Sequence, residues 1–227
     1  MERRVRHSAD DAKRAILDAA EKRLRQGGPA AVRVQLVAHD VGVTDAAVHH
    51  HFGSRKGLLR ALLLHAGRGL REQIDTAARS WGEGARDLSS LTDLIADCYD
   101  RRGYARLAMW LMLTGMRGKG SGMLSGLVDG LHRDRALAAS KSGLAAPRRA
   151  ETQYIVALFH MIQVAEPLFG EAMRRSAGMP DDALSRDQFR AWLLNVFQAL
   201  LQPTGLPQAA PSHRRERSPL RQRRILP

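Results

Sequence analysis

The sequence predicts an all-α protein, and three observations predict it. β-Branched residues are sparse, and no stretch alternates apolar and polar with period two, the mark of a half-buried strand. Ala, Leu, Arg and Met dominate, all strong helix formers. Gly and Pro cluster between the apolar-periodic segments and punctuate them.

The first predicted helix runs from about Ala9 to Gln26. Ser8 is placed to cap it, and Asp10 and Asp11 lie in its first turn, where negative charge suits the helix dipole. Its apolar stripe is Ala12, Ala15, Ile16, Ala19, Ala20 and Leu24, and Gly27, Gly28 and Pro29 end it. A short helix follows over about Val34–Val41, then a turn at Gly42, then another short helix over about Thr44–His51. A fourth helix starts after Ser54, its expected N-cap, and runs to about Arg79. Gly82 and Gly84 mark the expected seam. Beyond it amphipathic segments fall at about Leu88–Arg101, Tyr104–Met116, Met123–Ser140, Pro147–Ser176 and Ser185–Gln202. Four regions follow: a basic arm (1–9), a DNA-binding-sized module (10–70), a helical domain (71–202) and a Pro- and Arg-rich tail (203–227) expected to be disordered.

Composition bounds the function. Formal net charge is +13, with +5 carried by residues 1–66 and +5 by residues 203–227, so the excess sits at the two ends. Such a chain favours polyanions, either nucleic acid or an anionic membrane face. The single cysteine, Cys98, excludes an intrachain disulfide and leads us to expect a reducing, intracellular setting. No secretory signal is expected at the N-terminus, since no apolar run follows its charges. No membrane span is expected either, because the greasiest stretch, Ala105–Leu113, is too short. P-loop, GxSxG, HExxH and strand-following GxGxxG patterns are missing, and Cys98 has no nearby His, so an enzyme is not expected.

The two short helices read as a helix-turn-helix over about residues 33–52. Ala38 is small where the helices would cross, Gly42 suits a turn needing positive φ, and Val37, Val41, Val43 and Val48 can share a small core. Thr44 can cap the second of them, which is short enough to need support from the first helix and Phe52. Held so, it can enter a major groove. The run HHH at 49–51 is not a metal site: successive helical residues point about 100° apart, whereas helical zinc pairs want i,i+4 spacing.

At this point the chain resembles the TetR family of bacterial transcriptional regulators. The resemblance lies in VQLVAHDVGVTDAAVHHHFGSRKGLLRALL, Val34 to Leu63, against the family's I-A-x-x-x-G-V-S-x-x-x-L-Y-x-H-F-x-S-K-x-x-L. The matching positions are Val37-Ala38, Gly42-Val43-Thr44, Val48-His49, His51-Phe52, Ser54-Arg55 and Leu58, without gaps. The resemblance implies a TetR-type helix-turn-helix domain followed by a helical domain for ligand binding and dimerisation. His49 falls where the family has a phosphate-donating tyrosine, His51 beside the Phe, and Arg55 at a basic position opening the fourth helix. The DNA-contacting set it implies is Arg33, Thr44, Asp45, Ala46, Ala47, His49, His50, His51 and Arg55. His51 has packing or capping as its alternative, and Arg55 has a solvated surface position. Asp45 repels phosphate but can accept from cytosine N4. Ala46 and Ala47 can meet a thymine methyl but cannot specify a base by hydrogen bonding. Arg33 replaces a capping Ser or Thr. The arm arginines Arg3, Arg4 and Arg6 either enter a minor groove or stay solvated, and the tail arginines either add non-specific affinity or have no specific role.

In the helical domain Ile155, Leu158, Ile162, Trp192, Val196 and Phe197 are expected at a homodimer interface. A ligand pocket is expected among Met109, Trp110, Leu113 and Phe159, with His160 or Gln163 as polar handle; an ordinary core is the alternative. The implied function is a cytoplasmic, sequence-specific repressor, at the nucleoid when bound, released from a palindromic operator by a small molecule and using no cofactor or metal. The alternatives are a non-repressing DNA binder, either an activator or a nucleoid-type protein, and a peripheral membrane protein using the basic tail.

Overall fold

A computed structural model of the chain describes residues 9–80, 88–116, 122–180 and 182–202. The expected basic arm, Ser8, the Gly82/Gly84 seam and the tail lie outside the described residues. Helices are α1 (Ala9–Ala31), α2 (Val34–Val41), α3 (Asp45–Phe52), α4 (Arg55–Ser80), α5 (Leu88–Ala96), α6 (Tyr104–Leu113), α7 (Ser125–Lys141), α8 (Arg149–Ser176) and α9 (Ala183–Leu200), with a π-helical turn at Asp97–Arg101 between α5 and α6. The all-α expectation holds throughout the described residues.

In α1 the helical backbone lapses at Gly27 and Gly28, where the sequence placed its end, and a short turn after Pro29 leads into α2. Ile16, Leu17, Ala20 and Leu24 form its buried stripe. They meet Val37 and Ala38 of α2, Val48 of α3 and Leu58, Leu59 and Leu62 of α4 in one continuous core. Gly42 caps α2 at φ 75°, a left-handed conformation that disfavours residues with a Cβ. Thr44 caps α3, its hydroxyl accepting from the Ala47 N–H at 3.2 Å. Ser54 does the same for α4, accepting from the Gly57 N–H at 3.0 Å. A Cβ on Gly57 would lie 1.9 Å from the Phe52 carbonyl oxygen, so the end of α3 and the first turn of α4 approach as closely as they do only because this residue is glycine. α4 then runs through residue 70 without a break.

The body packs α5–α9 against the far half of α4. Leu91, Ile95, Tyr104, Leu107, Leu127, Leu131, Ile155 and Phe159 are buried in the same cluster. Two elements differ from expectation. The predicted helix over Leu88–Arg101 is α-helical only to Ala96, and a π turn widens its last part. The last helix takes Asp182 as its N-cap, accepting from the Ser185 N–H at 2.6 Å, rather than starting at Ser185. α8 is also long and apolar enough to cross a membrane by length and composition, which the sequence reading missed. Its apolarity has a simpler cause: one face fills the core while the opposite face carries exposed Tyr154, Leu158, Met161, Phe169 and Met173.

α1 is fastened to the body by one carboxylate. Arg102 donates to both oxygens of Glu21 at 2.7 and 2.8 Å, and the Tyr104 hydroxyl donates to Oε2 at 2.6 Å. Burial alone would raise the Glu21 carboxyl, but these hydrogen bonds and the charges of Arg102 and Arg25 outweigh it and hold it below the usual range. The group therefore stabilises the fold fully above about pH 4.5, its ordinary value, and the contribution disappears as pH falls through its lower folded value. Replacing Arg102 by Met leaves the half-buried carboxylate with one donor group. We expect a loss of about 1–3 kcal/mol at pH 7, seen as a lower thermal midpoint, with the gap to wild type closing as the melts are taken from pH 7 to pH 3.

Candidate nucleic-acid interface and ligand cavities

α3 presents two faces. Val48 is buried, while Ala47, His51 and Phe52 are half-buried on the same side. Asp45, Ala46, His49 and His50 are exposed, together with Thr44 just before the helix and Arg33 before α2. Of the nine expected DNA-contacting residues, six therefore share an open surface. Ala47 is partly covered and spends its N–H on Thr44. His51 is half-buried, its ring 6.1 Å from that of Phe52 and 5.5 Å from that of His50.

Arg55 does not follow the expected role. Its guanidinium turns inward, with Nε donating to the Val32 carbonyl at 2.7 Å and Nη2 to the Pro29 carbonyl. It also stacks over Trp110 of α6, 5.2 Å from the ring centre. Carbonyls at the end of α1 are acceptors that suit a cation; the Pro29 carbonyl also accepts from the Val32 N–H at 3.4 Å. Arg33 caps nothing with its side chain, as its type implied. Lys56, beside Arg55, donates to the Thr114 carbonyl at 2.6 Å, which ties α4 to the end of α6.

Sequence reasoning missed the contacts that orient this domain. Arg23 of α1 makes a two-pronged pair with Asp40 of α2 at 2.6 and 2.7 Å, and that hydrogen bond holds the Asp40 carboxyl below its usual range. Nothing in the local sequence couples positions 23 and 40, or 21 and 102.

The expected ligand-pocket residues do not converge. Leu113 is 80% exposed, and Trp110 is committed to Arg55. Met109 is half-buried on α6 and lines none of the cavities described below. The His160 ring pairs with the Tyr99 hydroxyl at 2.5 Å. Burial lowers the imidazole and raises the phenol, so this is a neutral hydrogen bond inside the body rather than a free handle. Cys98, next to Tyr99, is pushed up to about 11 by burial, which keeps it in the thiol form at neutral pH. Gln163 is the exception. It lines a polar cavity of about 290 Å³ with Asp100, Glu166, Arg174, Arg186 and Arg190. An apolar cleft of about 330 Å³ adjoins it, lined by Ile162, Met173, Met179 and Phe189. Glu166, Gly170 and Arg174 border both, and the Glu166–Arg174 ion pair lies at the boundary. Phe159 borders two small spaces of about 20 Å³ beside α8 and α9, one of which Gln163 also lines.

Two of the expected dimer residues are core residues of the single chain: Ile155 and Phe197 are 4% and 3% exposed, and the Phe197 ring packs edge-on to Phe159 at 4.6 Å. Ile162 and Val196 are half-buried, and Leu158 and Trp192 face outward. Helical spacing could not separate the two apolar faces of these helices.

The model of "Bacterial regulatory proteins, tetR family" matches residues 16–62, from the buried stripe of α1 to the first half of α4. The HTH-type transcriptional regulator BetI of Brucella anthropi is 30% identical over 101 residues, 44% of this chain and 50% of that protein. The chain thus aligns with about half the length of that relative. In fold it is similar to a TetR-family regulator candidate from Mesorhizobium loti, at TM-score 0.57 and 15% identity over 86% of this chain and 97% of that one. It is also similar to AibR, solved with isovaleryl coenzyme A and operator DNA, at TM-score 0.50 and 18% identity over 82% and 97% of the two chains. The helix-turn-helix, its support by α1 and α4, and the helical body behind them agree with these matches, and over residues 16–62 the chain is similar to the DNA-binding region that the tetR family model describes.

Proposed function

We propose that the chain is a ligand-responsive, sequence-specific DNA-binding regulator that acts as a homodimer and represses transcription until a small molecule releases it from a palindromic operator. One observation carries the DNA-binding reading: the exposed face of α3, flanked by Thr44 and Arg33, is held outward by a fully packed support of α1, α2 and α4. In a helix-turn-helix that second helix enters the major groove. The division into a DNA-binding module (10–70) and a ligand-binding and dimerisation domain (71–202) is part of this reading, with α4 as the element common to both.

The homodimer reading has its own support. Tyr154, Leu158, Met161 and Trp192 leave α8 and α9 with large apolar side chains facing water, a face that soluble proteins cover. A pair of copies related by a two-fold axis covers both faces at once and sets two recognition helices about 34–36 Å apart, one turn of DNA. Ligand response is supported by the paired polar and apolar cavities beside α8, and by the neighbour AibR, whose structure holds both a small molecule and DNA. An effector would act through its differential affinity for the two states of the dimer.

Gel shifts and footprints on DNA flanking the chain's own gene, across a salt series, test the proposal. A protected palindrome with specific competition is expected; uniform binding competed equally by any DNA would remove sequence-specific regulation. Arg33→Ala should weaken binding about equally on all sequences and reduce the log–log salt slope of the dimer by about 1.8, roughly 0.9 for each of its two copies. The double variant Leu158→Glu/Trp192→Glu should run as a monomer in light scattering with its helical circular dichroism intact. A stable dimer of that variant would place the interface elsewhere.

A further inference from the structure

We propose that His49 contacts DNA as an imidazolium, its Nε2–H donating to a backbone phosphate, so that each half-site bound takes up a proton. This rests on the reading of α3 as the recognition helix. The new element is the chemistry of the ring, and one hydrogen bond dictates it.

The Nδ1 atom of His49 lies 3.2 Å from the Gly53 carbonyl oxygen. A carbonyl can only accept, so Nδ1 carries the proton in this contact. A neutral imidazole has a single N–H. With that proton committed to Gly53, the exposed Nε2 presents a lone pair, which repels the oxygens of a phosphate. Only the doubly protonated ring has a donor left for DNA. The ring's direction is also fixed. Gly53 ends α3 and donates its own N–H to the His49 carbonyl at 2.7 Å, so the residue is held to the cap through both backbone and side chain.

His49 lies in the last turn of α3. Asp45 sits one turn back on the same exposed face. His50 is the other titratable group on that face. On α2 the titratable groups are His39 and Asp40, the latter paired with Arg23. On α4 the nearby cations are Arg55 and Lys56, both donating to backbone carbonyls, and Arg60 one turn on. A phosphate at Nε2 adds the decisive field, because an opposite charge in contact favours the protonated form. The proton comes from solvent on binding and returns to solvent on release.

The sign is the test. Proton uptake makes affinity strongest at low pH and weakens it as pH rises through the imidazole range. A neutral Nε2 accepting from a base amino group would give the opposite trend. The affinity of the full-length dimer for a duplex from its footprint should be measured by fluorescence anisotropy between pH 6 and pH 8 at constant ionic strength. Wild type should bind roughly 25-fold more weakly at pH 8 than at pH 6, the product of about fivefold at each of the two half-sites. His49→Tyr, which donates at every pH in this range, should flatten the curve and keep tight binding at pH 8, whereas His50→Gln should keep the slope. A flat wild-type curve, a rise in affinity with pH, or a slope that survives His49→Tyr would each overturn the proposal. Absence of footprinted, sequence-specific binding at any pH would instead overturn the regulator reading beneath it.

Discussion

The carboxylate of Glu21 is the group on which the arrangement of the two halves depends. It accepts from Arg102, which closes the π turn, and from Tyr104, which opens α6, so both sides of that junction are referred to α1. Gly103 between them has φ 79°, a bend that brings two donors two residues apart onto one acceptor. Two further contacts act in parallel: Arg55 of α4 lies over Trp110 of α6, and Lys56 reaches the Thr114 carbonyl. All three converge on α6 and its ends. The position of α3 relative to the body is thus set by a short set of polar contacts rather than by the shared core alone.

The π turn gives that junction a second side. Asp100 within it borders the polar cavity, and Tyr99 meets His160 of α8. Arg102 leaves the same turn toward α1. A widened turn is a natural place for a small change of register, since the extra residue has no matching i→i−4 partner. In the proposed mechanism, a molecule seated beside Asp100 and Gln163 would press on the turn that carries the Glu21 contact. The route is short, and every link is a named hydrogen bond or a shared wall. The charges around the polar cavity are mixed, with Arg186 and Arg190 near Asp100 and Glu166, so the cavity suits a ligand with polar groups at one end. The adjoining cleft suits an apolar group.

What was legible in the sequence was whatever is local. Ser54, Thr44, Gly42 and the Gly27-Gly28 break each act within four residues, and each sits where the sequence placed it. Much of the core of α1–α4 was legible because its residues repeat at helical spacing along helices with one buried face, although Ala15 of the expected α1 stripe is exposed and Leu17, outside it, is buried. α8 and α9 defeated the same argument, because both their faces are apolar: Ile155 and Phe197 look no different in sequence from Leu158 and Trp192, yet the first pair is core and the second faces water. The role of Arg55 was illegible for another reason. Its partners are the Pro29 and Val32 carbonyls, and backbone acceptors have no sequence signature. The same holds for Gly57, whose closeness to the Phe52 carbonyl is a matter of three-dimensional approach.

The charge on α3 narrows how such a surface can hold DNA. Its only permanently charged side chain is Asp45, so in the proposed complex α3 with neutral imidazoles would face a polyanion carrying net negative charge. The inward turn of Arg55 removes the nearest guanidinium from the account, and Lys56 is occupied by Thr114. In the proposed complex, attraction to phosphate would come from cations flanking α3, such as Arg33 just before α2. Backbone charge contacts supply affinity without sequence information, whereas small side chains such as Ala46 admit close approach and read methyl groups. A helix of this composition would separate the two tasks: specificity from shape and apolar contact along its exposed face, and affinity from cations at its edges.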